Sequence, residues 1–197
     1  MPVTEFALLR LQSGFDKDKL LQVLARCRDR QDEWMRHQQP QSFDGSLSTM
    51  YLGRIDDAWL VLITAPWDSP EAHADWICTE ANRACNEDLD GFVDSVDLVH
   101  LESVGTRAQL RGPFLSGRTF SVLQYYVSSG GRDALVEAYR SLEENQDELW
   151  AGLRVERNGE ADETLVVFTG GKVELGKPQH LIQSSDDIKV GVFRHVV

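Results

Sequence analysis

The sequence predicts an α+β fold: two tandem β-α-β-β-α-β repeats whose sheets pack face to face as a single-chain α/β barrel. Three observations predict it. Segments with period-two alternation are interleaved with segments of helical period. The order of those segments over residues 1–104 recurs over residues 119–197. Each predicted half carries helices for one face of its sheet, so the two bare faces are free to bury each other.

The elements follow in order. Phe6, Leu8 and Arg10 alternate with Ala7, Leu9 and Leu11, a strand that Ser13-Gly14 ends. Asp16 is placed to cap a long helix on which Leu20, Leu24, Cys27, Gln31 and Trp34 recur at steps of four, three, four and three, hence on one face. The loop HQQPQSFDGS, punctuated by Pro40 and Gly45, ends that helix. LSTMYLGRI and AWLVLITA read as an antiparallel hairpin turning at Asp56-Asp57. A second helix starts after Trp67, with Asp68 or Ser69 as cap and Pro70 in the first turn, where a missing N–H costs nothing; Gly91 follows its end. SVDLVHLESV is the closing strand of a ferredoxin-like unit.

The second half lies over the first. FALLRLQSGFDKDKLLQVLARCRDRQDEW aligns with FSVLQYYVSSGGRDALVEAYRSLEENQDELW, matching Leu20 to Leu135, Leu24 to Tyr139, Cys27 to Leu142 and the QDE of 31–33 to that of 146–148. GLRVERNGEADETLVVFTG is a second hairpin with Asn158-Gly159 in its turn, and IKVGVFRHVV a second closing strand. Only the second helix of this repeat is degraded, since GKVELGKPQHLIQSS is interrupted by Gly176 and Pro178. Residues 105–118, with Gly, Pro and Arg and no clear period, are the expected linker. One chain closes this core by itself, so a monomer is expected, with a homodimer as the alternative.

Composition narrows the function classes. With 42% apolar and 26% charged residues the 197-residue chain is globular, and no apolar run approaches the roughly 20 residues that a bilayer requires. Twenty basic against 32 acidic side chains give a net charge of −12, which disfavours nucleic acid and anionic membrane surfaces as partners. The N-terminal stretch has no basic flank and carries Glu5 and Arg10 among its apolar residues, so no secretory signal is expected and the location is read as cytoplasmic. Three cysteines, Cys27, Cys78 and Cys85, are read as reduced; Cys78 and Cys85, seven apart on one helix face, are too widely spaced to share a zinc ion and are expected to pack as small hydrophobes. Dinucleotide-binding and phosphate-binding glycine loops and the nucleophile-elbow motif are absent from the sequence. The acidic stretches EENQDE and SSDDIK read as solvated faces.

The arrangement resembles the dimeric α/β-barrel superfamily in an internally duplicated, single-chain form. More narrowly, EFALLRL and APWDSPEAHADWICTEAN resemble fungal proteins related to antibiotic-biosynthesis-type monooxygenases, in which a strand runs into a Trp-x-Ser-x-Glu-Ala-His-x-x-Trp segment that opens the second helix. The resemblance implies a small-molecule pocket, a place in secondary metabolism and a choice of chemistries: cofactor-free quinol oxygenation, polyketide cyclisation, dehydration, decarboxylation or haem chemistry.

Candidate site residues follow from that pocket. His73 would share a face with Ile77, Ala81 and Ala84 and point towards the sheet, where an imidazole can serve as general acid and base; alternatively it only fixes the helix start through a backbone carbonyl. Tyr51 or His100 would be the auxiliary proton donor, although a strand Tyr also packs and the period leaves open which face His100 takes. Trp67, Trp76 and Trp59 are the candidate walls for a planar aromatic substrate, or plain core. His180 falls near the His73 position in the second repeat, but no third ligand accompanies either, so no metal site is expected. The leading expectation is a cofactor-independent enzyme on a small aromatic or polyketide-like molecule. A non-catalytic ligand carrier or interaction module is the alternative. Haem binding, with His73 or His180 as axial ligand, comes third.

Overall fold

A computed structural model describes residues 1–38, 47–107, 110, 114, 117–128, 132–156, 162–170 and 188–197. Its elements are β1 (Val3–Leu11), α1 (Lys17–Gln38), β2 (Thr49–Ile55), β3 (Ala58–Thr64), β4 (Pro66–Trp67), α2 (Pro70–Ile77), α3 (Glu80–Leu89), β5 (Val93–Ser103), β6 (Thr119–Ser128), α4 (Arg132–Glu143), β7 (Leu149–Arg154), β8 (Asp162–Thr169) and β9 (Ile188–His195). The strands run in the order β3-β2-β9-β6-β8-β7-β5-β1, and β1 pairs back with β3. Eight antiparallel strands therefore close a barrel, and the two-residue β4 pairs with β1 beside it. The tandem-repeat α+β architecture read from the sequence is the one observed.

The halves exchange strand edges. The hairpin strand β2 of the first half pairs with the final strand β9 of the second, Gly53 opposite Phe193, while β5 pairs with β7, Leu101 opposite Arg154. Gly53 is required by the first seam: a Cβ there would collide with the Val192 carbonyl and the Phe193 ring. Strand alternation then sorts side chains into two layers. Phe6, Leu8, Tyr51, Leu62, Phe120 and Phe168 belong to the barrel interior. Ala7, Leu9, Val61 and Ile63 face outward and pack with Leu20, Leu24 and Met35 of α1. In the second half, Leu135 and Tyr139 of α4 pack with Leu149, Leu165 and Val167 in the corresponding outer layer.

Local signals explain the helix starts. Asp16 Oδ1 accepts from the backbone N–H groups of Asp18 and Lys19, both at 3.1 Å, as expected of the cap of α1. Ser69 Oγ accepts from Ala72 N at 3.3 Å, with Pro70 in the first turn of α2. Gly91 follows α3 with φ +89°, a left-handed conformation natural to glycine.

Several expectations are corrected. The second helix is two: α2 stops at Ile77, and Thr79 caps α3 by accepting from Asn82 N at 3.0 Å. His73 thus does not share one continuous helical face with Ala81 and Ala84, and Cys78 and Cys85 are not two turns apart on one helix. Cys78 is exposed, whereas Cys27 and Cys85 are buried. In the second half, α4 ends at Glu143 and Trp150 lies in β7, so the QDE match pairs helix with the approach to a strand. The reason is packing: Trp150 enters the barrel interior, edge-on to Phe168 at 5.5 Å. The connecting segment also contributes core, since Phe114 is 1% exposed and sits against Phe120 and Phe168. The Asn158-Gly159 turn and the GKVELGKPQHLIQSS segment with His180 lie outside the described residues. No described helix is long and apolar enough to cross a membrane.

Candidate active site

The site grows from one anomaly in β1. Eight of its nine residues are buried, and Glu5 is among them at 5% exposure. A carboxylate there needs partners. Glu5 lies on the outward face with Val3 and Ala7, under the helices. Its Oε2 accepts from Gln31 Nε2 of α1 and from Trp67 Nε1 of β4, each at 3.0 Å. The strand–helix corner supplies the rest. Val3 pairs with Trp67, and Glu5 N donates to the Ala65 carbonyl at 2.7 Å. From that corner α2 departs, bringing His73 Nε2 to 3.6 Å from Glu5 Oε2. The His73 ring stacks on Trp67, centroids 4.5 Å apart and planes within 12°.

Glu5 stands opposite His100 in the β1–β5 register, so His100 takes the same outward face. His100 Nε2 lies 2.8 Å from His73 Nδ1. Beyond it stands Glu156, which follows β7 in the second half. Its carboxylate accepts from the His100 backbone N–H at 2.9 Å and from His100 Nδ1 at 2.5 Å. The first half thus contributes Glu5, His73 and His100, and the second contributes the carboxylate that grips His100 by both main chain and ring.

This geometry limits where the protons can sit. Partial burial works to raise Glu156, but the backbone N–H and imidazole of His100 outweigh it and hold the carboxyl below its usual range. As an anion it only accepts, so His100 Nδ1 carries a proton. In one tautomer of the pair His100 Nε2 accepts from the Nδ1–H of His73, and His73 Nε2 then carries a bare lone pair near Glu5. Burial lowers the His73 pKa, against the opposing pull of Glu5, and so favours this neutral, basic form.

The lone pair has somewhere to act. A cavity of about 440 Å³ lies between the outer face of the first-half sheet and the helices; Glu5, Gln31, His73 and Trp76 line it together with Ala7 and Leu98. The volume is within the range of small-molecule pockets. Trp34 packs against both Trp67 and Trp76, at 5.9 and 5.8 Å, and braces them.

The structure sorts the sequence-derived candidates. His73, His100, Trp67 and Trp76 come together here. Tyr51 does not: it is fully buried in the barrel interior against Phe120, on the other face of the sheet. Burial pushes its phenol up to about 12, which suits a packed hydroxyl rather than an acid near neutrality. Trp59 is also elsewhere, 42% exposed, with Arg54 over its ring at 5.3 Å and Phe15 at its edge. Sequence reasoning missed Glu5, Gln31 and Glu156. For Glu5 the signal was present, a charge on the buried face of an apolar strand. Nothing local marks Glu156, whose partner is 56 residues away.

Of the two ring nitrogens of His73, Nδ1 is engaged by His100, and Nε2 lies 3.6 Å from Glu5 Oε2. Among the described residues no cluster of three or more His, Cys, Asp or Glu side chains is arranged to hold a metal ion.

No family model and no curated protein matches the chain. Solved structures do. A candidate monooxygenase from Fusobacterium nucleatum is similar with TM-score 0.63 and 9% identity, over 100% of this chain and 93% of that one. A second, from Lactobacillus acidophilus, gives 0.63 and 10% over 100% and 94%. An anthrone oxidase-like protein gives 0.60 and 10% over 100% and 92%. At such identities the likeness is one of fold, that of the α/β barrel which the strand pairing closes within this one chain.

Proposed function

We propose that the chain is a cofactor-independent enzyme that moves a proton on a small aromatic or polyketide-like molecule held between the helices and sheet of its first half. The single observation that carries this reading is the series Glu5, His73, His100, Glu156, which runs from a cavity to a partly exposed carboxylate. His73 Nε2 would take a proton from an acidic C–H or O–H of the substrate. The Nδ1–H could then pass to His100 Nε2, leaving His73 neutral and the positive charge on His100 beside Glu156. Glu5 stabilises the imidazolium on the cavity side. Proton transfer to a positioned base of this kind is worth about 10²–10⁴ in rate.

Oxygenation is the favoured outcome, supported by structural neighbours named as candidate monooxygenases and as anthrone oxidase-like. For an anthrone, His73 removes a proton from the methylene carbon and the carbanion transfers electrons to O2. A carbon–oxygen bond forms, and the hydroperoxide loses water to leave a carbonyl, so CH2 and O2 become C=O and H2O. Trp76 is the indole wall of the cavity, and Trp67 backs the imidazole of His73.

Oxygen uptake with dithranol as substrate, in the presence of a chelator, tests the reading. Acceleration over the spontaneous reaction by the wild type, and its loss in a folded His73→Gln variant, is the expected result. Equal rates for the two proteins would overturn it. Quenching of tryptophan fluorescence by dithranol without any acceleration would favour a ligand carrier instead.

A further inference from the structure

A second reactive pair lines the same cavity and plays no part in the proton relay. Cys27 of α1 and Cys85 of α3 are 4% and 5% exposed, and both contribute to the cavity wall. They face each other across the helix contact: Cys27 Sγ lies 3.8 Å from the Cys85 carbonyl, and Cys85 Sγ lies 3.9 Å from the Cys27 carbonyl. Buried cysteines that only fill space do not need this reciprocity.

Their surroundings are not equivalent. Asp88 takes the Arg30 guanidinium in an ion pair at 2.7 Å, one turn from Cys85. The Cys85 thiol is drawn down to about 7, first by the hydrogen bond from Cys27 and then, against its burial, by Arg30. Cys27 moves the other way, raised by the neighbouring sulfur and by burial. The Arg30 guanidinium beside Cys85 favours the thiolate on that sulfur.

We propose that Cys85 and Cys27 form a peroxide-reactive dithiol in the cavity wall, with Cys85 as the attacking sulfur, Cys27 as the resolving one, and a small hydroperoxide as the reactant. The Cys85 thiolate attacks one peroxide oxygen. The S–O bond forms, the O–O bond breaks, and the leaving alkoxide takes a proton to become an alcohol, or water when the reactant is hydrogen peroxide. Sulfur is oxidised by two electrons to sulfenic acid. Cys27 then attacks that sulfur; the S–O bond breaks, and hydroxide leaves with the thiol proton as water. The sum is two thiols and one hydroperoxide giving one disulfide, one alcohol and one water. The product disulfide ties α1 to α3 across the pocket. The inference stands apart from the proposed oxygenation, since it needs only the cavity and the two sulfurs.

The test uses the whole chain carrying Cys78→Ser, which removes the exposed thiol. Treatment with stoichiometric cumene hydroperoxide should lower the intact mass by two hydrogen atoms, and peptide mapping should join Cys27 to Cys85. In the same background Cys27→Ser, which keeps a donor beside Cys85, should instead accumulate a sulfenic acid at Cys85 that dimedone traps, and Cys85→Ala should do neither. Both thiols surviving unmodified in the folded protein would overturn the proposal. Dimedone trapping at Cys27 in the Cys85→Ala protein would overturn the assignment of roles. Because mass mapping on the Cys78→Ser protein leaves the pair intact, the outcome does not depend on the tolerance of either position to substitution.

Discussion

His73 Nδ1 and His100 Nε2 lie 2.8 Å apart with their rings at 85°, so one imidazole presents its edge nitrogen to the in-plane lone pair or N–H of the other. The two residues come from a helix and a strand, 27 positions apart. Two imidazoles in this contact share a single proton, and the state of either nitrogen is set by what stands at the far ends, Glu5 on one side and Glu156 on the other.

Glu156→Gln should therefore slow turnover more than it weakens binding. The amide keeps the shape but lacks the charge that fixes the His100 tautomer and balances an imidazolium. Loss of about 10- to 100-fold in kcat is expected, with KM little changed. Steady-state kinetics on an active anthrone would decide, and a mutant as fast as the wild type would remove Glu156 from the relay.

Glu5 should matter to both stability and rate. Glu5→Ala leaves the Gln31 amide and the Trp67 indole N–H buried without their acceptor, a cost of about 2 kcal/mol measurable by urea unfolding. Glu5→Gln retains an acceptor oxygen and should cost less, while losing the charge that stabilises protonated His73. A rate unaffected by Glu5→Gln would show that the carboxylate only holds the fold together.

The pH dependence carries the sign of the His73 shift. Its folded pKa is lowered from 6.5, first by burial, so below that value the unfolded chain binds a proton that the folded one refuses. The stability contribution is full above about pH 6.5 and is lost as pH falls through the folded pKa. His195 is shifted the same way, chiefly by burial, so the diagnostic quantity is the difference in Tm between wild type and His73→Gln. That difference should shrink or reverse as pH drops below 6.5, and a pH-independent offset would contradict the assignment. Activity should fall over the same window, because only neutral His73 is a base.

Tyr51→Phe should leave turnover at the wild-type level. The hydroxyl lies in the barrel interior, and the sheet separates it from the cavity. A drop of tenfold or more in kcat with unchanged stability would place the phenol back in the chemistry.

Phe114→Ala should do the reverse. Removing a ring that is 1% exposed and edge-packed on Phe120 at 5.3 Å costs about 3–5 kcal/mol. Chemical denaturation would measure it, and a loss under 1 kcal/mol would mean that the barrel interior collapses around the gap.

Much of the fold was legible because barrel strands alternate strictly and their turns carry strong local chemistry. Phe6 against Ala7, the Asp56-Asp57 hairpin, the Asp16 cap and the Ser69-Pro70 helix start all act over a few residues, and local signals of that range survive in a linear reading. The break at Cys78 did not, because Thr79 caps α3 in the middle of a run whose helical propensity is otherwise continuous. The QDE match failed because three shared residues say nothing of whether the following Trp enters a helix or a barrel. At the site, His73 and Trp67 were visible as a short segment with an odd composition. Tyr51 and Trp59 were misplaced because strand period gives two faces without saying which one covers a cavity. Glu156 was invisible, since its role exists only once β5 and β7 lie side by side.

That seam has a consequence for how such a protein can change. In an assembly of two identical chains, a carboxylate offered by one copy to the pocket of the other would be offered twice, and each substitution would be felt in both places. Here Glu156 and His73 belong to different halves of one polypeptide, each encoded once. A residue of the second half can be altered to suit the first-half pocket without altering its counterpart, so the duplicated chain is free to become a dedicated support on one side and a chemical workplace on the other.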